Sequence, residues 1–144
     1  MAKGLNSTTV LILDDEPEYF QWVEDFFESK KLNVKFVTTL NAAIEALSKE
    51  DFRLMLVDMN VPTGGFDTKN LLPRIPLISK YPGLALALEA RSLGYGAHSV
   101  IAYTVHDDNA ADRELAKLHC RYVLKGRPQV LKKVVEASLA PKPR

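Results

Sequence analysis

The chain has 144 residues, 47% of them apolar and 26% charged, with a net charge of +1. That is enough for one globular domain with a real core and too little for two, and it excludes a global electrostatic case for nucleic acid or membrane surfaces. A single cysteine, Cys120, excludes an intramolecular disulfide framework, and no apolar stretch approaches membrane-spanning length.

Residues 1–8 read as a flexible polar leader. They lack the apolar middle of a signal peptide, so the expected compartment is the cytoplasm. Thr9 to Leu13 is an all-apolar strand running directly into Asp14-Asp15. Glu16-Pro17 follows, with Pro17 suited to the first turn of a helix. Phe20, Val23 and Phe27 recur at helical spacing to about residue 30, with Trp22 and Phe26 beside them as core contacts. Val34 to Val37 is a second strand, more exposed because it carries Lys35. Asn41 is the expected cap of a short helix whose apolar face holds Ala43, Ile44 and Leu47. Arg53 to Asp58 is the third strand. Leu54–Val57 is a continuous apolar run, which suits a strand covered on both faces, and Asp58 closes it. Strand, helix, strand, helix, strand at this spacing predicts βα crossovers and a parallel sheet.

The pattern then breaks. Residues 59 to about 83 hold Pro62, Gly64, Gly65, Pro73, Pro76, Pro82 and Gly83, and no helical face survives prolines so placed. The apolar content of the segment, from Phe66 to Ile78, predicts that it packs on something. Regular structure resumes with a helix carrying Leu84, Leu86, Leu88 and Leu93, closed by Gly94. Ser99 to Tyr103 is the fourth strand, ending at Thr104. Asp107 or Asp108 caps a helix with Ala111, Leu115 and Leu118 on one face. Tyr122 to Leu124 is the fifth strand, ending at Lys125. A last helix presents Val130, Val134 and Leu139, and residues 141–144 form a free polar tail. The expected organisation is a single domain over 9–140, with no second or output domain. Cys120 reads as a small core residue, with a reactive thiol as the alternative.

In an open α/β sheet, ligands gather outside the carboxyl ends of the strands. Asp14, Asp15, Asp58, Thr104 and Lys125 therefore share one edge. Carboxylates close in space raise each other's pKa unless a cation offsets them, and a hard divalent ion such as Mg²⁺ suits oxygen ligands. A lysine and a hydroxyl beside such a carboxylate fit a phosphoryl acceptor: the cations balance the phosphoryl oxygens and the hydroxyl donates to one of them.

Leu13-Asp14-Asp15-Glu16-Pro17, Val57-Asp58-Met59-Asn60-Val61-Pro62, Thr104 and Lys125 together resemble the receiver domain of two-component response regulators, the CheY-like family. The resemblance covers nearly the whole chain except the Pro/Gly-rich segment. It implies a doubly wound, flavodoxin-like five-stranded parallel sheet of order 2-1-3-4-5, with an extended loop between the third strand and third helix. It implies Asp58 as phosphoacceptor, and Asp14, Asp15, Asp58 and the Asn60 backbone carbonyl as Mg²⁺ contacts. Thr104 and Tyr122 become a switch pair. A histidine kinase or phosphotransfer protein would be the donor, and a downstream protein would read the change, with no part for nucleic acid or membrane.

Several positions depart from the family pattern. Val105 stands where a small residue is usual and narrows the path to Asp58. Gly126 replaces the usual proline, so a trans bond and positive φ are expected there. His106, with Asn60 and Val105, sits where the family tunes acyl-phosphate lifetime; the plain alternative for His106 is an exposed loop histidine. The 63–82 stretch reads as an insertion that covers the site, supplies a homodimer surface, binds a partner, or is simply a solvated loop. The leading reading is a stand-alone phosphoacceptor switch, not an enzyme acting on separate substrates. The second is a receiver-like interaction module that no longer uses phosphate and binds through 63–82. The third, a Mg²⁺-dependent phosphatase, lacks a second acid to serve as general acid or base.

Overall fold

The three most apolar strands lie at the centre of the sheet. The structure, a computed structural model, describes residues 3–16 and 21–140. Strands β1 (Thr9–Leu13), β2 (Asn33–Val37), β3 (Leu54–Val57), β4 (Val100–Thr104) and β5 (Arg121–Leu124) pair in the order β2-β1-β3-β4-β5, and every pairing is parallel. All of β3 and β4 is buried, as is β1 beyond Thr9. Helices on both faces require such runs, which is why they lack a polar alternation. Edge strand β2 exposes Lys35.

Helices α1 (Gln21–Ser29) and α5 (Pro128–Leu139) cover one face; α2 (Leu40–Lys49), α3 (Gly83–Ser92) and α4 (Asn109–Lys117) cover the other. Strand alternation divides the core accordingly. Val10, Ile12, Leu56 and Ile101 meet Phe27 and Leu131, while Leu11, Leu13, Met55 and Ala102 meet Leu47, Leu84 and Leu115. No described helix is long and apolar enough to cross a membrane.

Several local expectations shift. Thr39, not Asn41, caps α2: its side chain is an acceptor for the Ala42 amide at 3.1 Å. Leu40 is fully buried, and that anchors the helix start ahead of Asn41. The Leu40 and Asn41 amides donate to the carbonyls of Pro62 and Thr63, so the proline-rich segment satisfies the first turn of α2. Asp108 rather than Asp107 caps α4. Residues 3–8 are tied down rather than loose. The Lys3 amide donates to Gly94, the Ser7 hydroxyl to Asp51 O, and the Arg53 guanidinium to Leu5 O. The expected roles of Pro17 and Phe20, and the 141–144 tail, lie outside the described residues.

Residues 63–82 form a chain of turns ending in a 3₁₀ helix, Pro76–Ser79. Ile75, Ile78 and Tyr81 are buried, and Phe66, Leu71, Leu72 and Leu77 pack half-buried against the α2/α3 core. The prolines prevent a long helix but leave isolated turns intact, and the apolar side chains dock those turns. Covered on this side as well, α3 is buried nearly all round.

Cys120 is buried, and desolvation pushes its thiol up to about 12. A thiol so far above neutral holds almost no reactive thiolate at pH 8. Alkylation by iodoacetamide is therefore expected to be at least about 100-fold slower in the native chain than in the denatured one. Equal labelling rates by mass spectrometry would refute this.

Candidate functional site

Parallel register sets the edge. Leu13 pairs with Val57, so the next residues, Asp14 and Asp58, lie side by side. The ladder continues past the strands: the Asp58 amide donates to Leu13 O at 2.8 Å, Asp14 to Val37 O, and Lys125 to Thr104 O. These bonds fix where each side chain starts.

Lys125 reaches between two acids. Its Nζ lies 2.6 Å from Asp14 Oδ2 and 3.2 Å from Asp58 Oδ2. Asp14 Oδ1 accepts from the Glu16 amide at 2.8 Å, and Asp58 Oδ1 from the Asn60 amide at 3.3 Å. Asp14 and Asp58 are buried and Asp15 is exposed, yet one oxygen from each lies within 4.8 Å of the others. Burial holds the Asp14 carboxyl above its usual range, against the opposing pull of Lys125 and the Glu16 amide. On Lys125 burial acts downward, but the bond to Asp14 and the charge of Asp58 win, and its pKa is raised. The difference follows from enclosure. Asp14 is almost wholly covered, whereas Lys125 keeps a fifth of its side chain exposed and meets two acids.

Three clustered carboxylate oxygens with one exposed member make a hard, oxygen-rich donor set that fits Mg²⁺. Beside them opens a cleft of about 400 Å³. Asp15, Asp58, Asn60 and Lys125 line it, with Val105, His106 and Gly126 on the β4 and β5 side. Val105 is 66% exposed, so it forms an outer wall rather than a plug. No residue of 63–82 lines the cleft among the described residues.

No family model matches the chain. Among curated proteins, response regulator protein PilR of Pseudomonas aeruginosa is 33% identical over 91 residues, covering 58% of this chain and 20% of that protein. The chain thus spans about one fifth of that relative's length. Among solved structures, the BeF3-activated N-terminal receiver domain of Klebsiella pneumoniae RstA matches 92% of this chain and 99% of its own, with a TM-score of 0.70 at 19% identity. A two-component response regulator from Clostridium difficile gives 0.69 at 16% identity, covering 92% and 96%. A CheY-like receiver domain protein from Methanospirillum hungatei gives 0.67 at 18%, covering 92% and 94%. The chain has the fold of CheY-like receiver domains.

Two further expected residues stay out of the cleft lining. Thr104 is fully buried at the end of β4, where its hydroxyl accepts from the His106 amide at 3.4 Å. Tyr122 is half-buried on β5, and its hydroxyl accepts from the Asp108 amide at 3.1 Å. Gly126 has φ of 88°, and no cis peptide bond occurs among the described residues.

Three cleft residues were missed by sequence reasoning: Glu16, Trp22 and Tyr103. Trp22 sits among core-spaced aromatics, which hides its second role. Tyr103 alternates with Thr104 and so belongs to the α1/α5 face, but its long side chain reaches the strand end. Burial raises its hydroxyl pKa against the charge of Lys125 and a bond from the Gly126 amide.

Proposed function

We propose that this receiver is a phosphoacceptor switch in which Asp58 takes a phosphoryl group from a phosphohistidine donor. The observation that carries the reading is the Lys125 ammonium held between Asp14 and Asp58 at 2.6 and 3.2 Å. A carboxylate oxygen of Asp58 attacks phosphorus, the P–N bond to the donor imidazole breaks as the P–O bond forms, and the product is an acyl phosphate. Lys125, freed from Asp58, balances the new charge on the phosphoryl oxygens. Asp14, Asp15, Asp58 and the Asn60 carbonyl would hold Mg²⁺, which offsets the carboxylate and phosphoryl charges. Thr104 donates to a phosphoryl oxygen, Tyr122 follows, and the surface around α4 and β5 changes for a partner to read.

The donor is a histidine kinase or phosphotransfer protein, the reader another protein, and the compartment the cytoplasm. The chain acts on itself rather than on separate substrates. Val105, His106 and Asn60, which line the cleft, set how fast water removes the group.

Incubation with Mg²⁺ and acetyl phosphate, followed by intact mass, tests the reading. The expected result is one added phosphoryl group, absent without Mg²⁺ and absent in Asp58→Ala. No gain with acetyl phosphate or any histidine donor would overturn it and favour a phosphate-independent module.

A further inference from the structure

Tyr81 is 3% exposed yet carries a hydroxyl, which burial obliges to find a partner. The partner is Asp108: Tyr81 donates to Asp108 Oδ2 at 2.9 Å. The other oxygen, Oδ1, accepts from the Ala110 and Ala111 amides at 2.8 and 3.2 Å and so caps α4. The backbone amide of the same aspartate donates to the Tyr122 hydroxyl. One residue, Asp108, thus joins the end of the 63–82 segment and the start of α4 through its carboxylate, and the switch aromatic through its backbone amide. The hydrogen bond from Tyr81 is the largest influence holding the Asp108 carboxyl below its usual range. Lys80 stands 3.5 Å from the same oxygen, but its side chain is exposed and adds little.

The segment also touches the rest of the switch. The Tyr81 ring lies 5.4 Å from the His106 ring, centroid to centroid, and the His106 amide is bonded to Thr104 Oγ1. Two residues on, the Gly83 amide donates to Met59 O at 2.9 Å, directly after the acceptor. Residues 81–83 therefore contact both the Asp58 strand end and the cap of α4.

We propose that Tyr81 is a positioning residue for the switch. Through Asp108 it holds the N-terminus of α4 in the arrangement that precedes phosphorylation, making 63–82 a second line of communication from Asp58 to α4. This rests on the phosphoacceptor reading. Movement of Thr104 toward a phosphoryl group displaces the His106 backbone bonded to it, which disturbs the Tyr81 ring and releases Asp108. A bond made in only one of two states biases the equilibrium by its own strength.

Tyr81→Phe removes one oxygen and keeps the ring. In the full chain without metal or donor, hydrogen exchange at the Ala110 and Ala111 amides is expected to rise severalfold. Titration with beryllofluoride and Mg²⁺, followed by the fluorescence of Trp22 in the cleft, is expected to show a midpoint about threefold to tenfold lower than wild type, the range one net hydrogen bond allows. A purely structural role would not tighten beryllofluoride binding. Asp108→Asn, which keeps a capping oxygen but loses the charge, is expected to shift the midpoint the same way by less. An unchanged midpoint in Tyr81→Phe beside a responsive wild type overturns the role of Tyr81 alone. A wild-type chain that ignores beryllofluoride overturns that role and the phosphoacceptor reading together.

Discussion

Lys125→Ala is expected to lower stability by about 2 kcal/mol and to slow phosphorylation by acetyl phosphate at least about 100-fold. Lys125 is the cation bonded to Asp14 and to Asp58, both buried. Removing one partner of a buried pair typically costs about 3–5 kcal/mol, because the charge left behind is unpaired. The partial exposure of Lys125 reduces that figure here. The loss carries a pH signature. Burial already raises the Asp14 carboxyl, and Lys125 opposes the rise. Without the lysine the folded-state pKa climbs further above the unfolded value, so the folded chain binds the proton more readily. Stability then falls as pH rises through that range and returns as pH drops. Urea denaturation of the variant at pH 8 and pH 5.5, each against wild type, measures this. A deficit no larger at pH 8 than at pH 5.5 would show that Asp14 does not depend on Lys125. Wild-type Lys125, whose pKa is raised, stays charged throughout and loses its contribution only above its ordinary range.

Gly83→Ala is expected to destabilise the fold by about 3 kcal/mol, although helix propensity alone favours alanine by roughly 1 kcal/mol. Gly83 opens α3. A Cβ there would lie 2.3 Å from the carbonyl oxygen of Asp58 and 2.9 Å from Met59 Cα. Both are backbone atoms, so no side chain can rotate away, and either α3 or the loop that follows β3 must move. The overpacking cost exceeds the propensity gain. The displacement also falls on Asp58 itself, so phosphorylation is expected to drop along with stability. Equilibrium unfolding and acetyl phosphate kinetics on one preparation give both quantities. A variant as stable as wild type would mean that α3 slides freely along β3.

Much of the fold shows in the sequence because burial leaves a local mark. The runs at Val10–Leu13, Leu54–Val57 and Val100–Tyr103 are continuous since helices cover both faces of the central strands. Asp14, Asp58 and Lys125 follow strand ends directly, so a parallel sheet could only bring them to one edge. Gly126 likewise announced its positive φ, since a side chain there would be strained. The cleft was partly hidden: Trp22 and Tyr103 read as core because their spacing is that of core residues, and only the reach of long side chains puts them at the rim.

The sequence by itself determined the sheet class, the burial of its central strands and the row of acids with one lysine, because each is a consequence of period and of position along a single strand. The tertiary structure alone decided that Thr39 begins α2, that residues 3–8 are fastened beside Tyr95, and that Tyr81 meets Asp108 across 27 residues of chain. Such contacts depend on how finished elements dock. A hydrogen bond between distant residues leaves no periodic trace in either of the segments it joins.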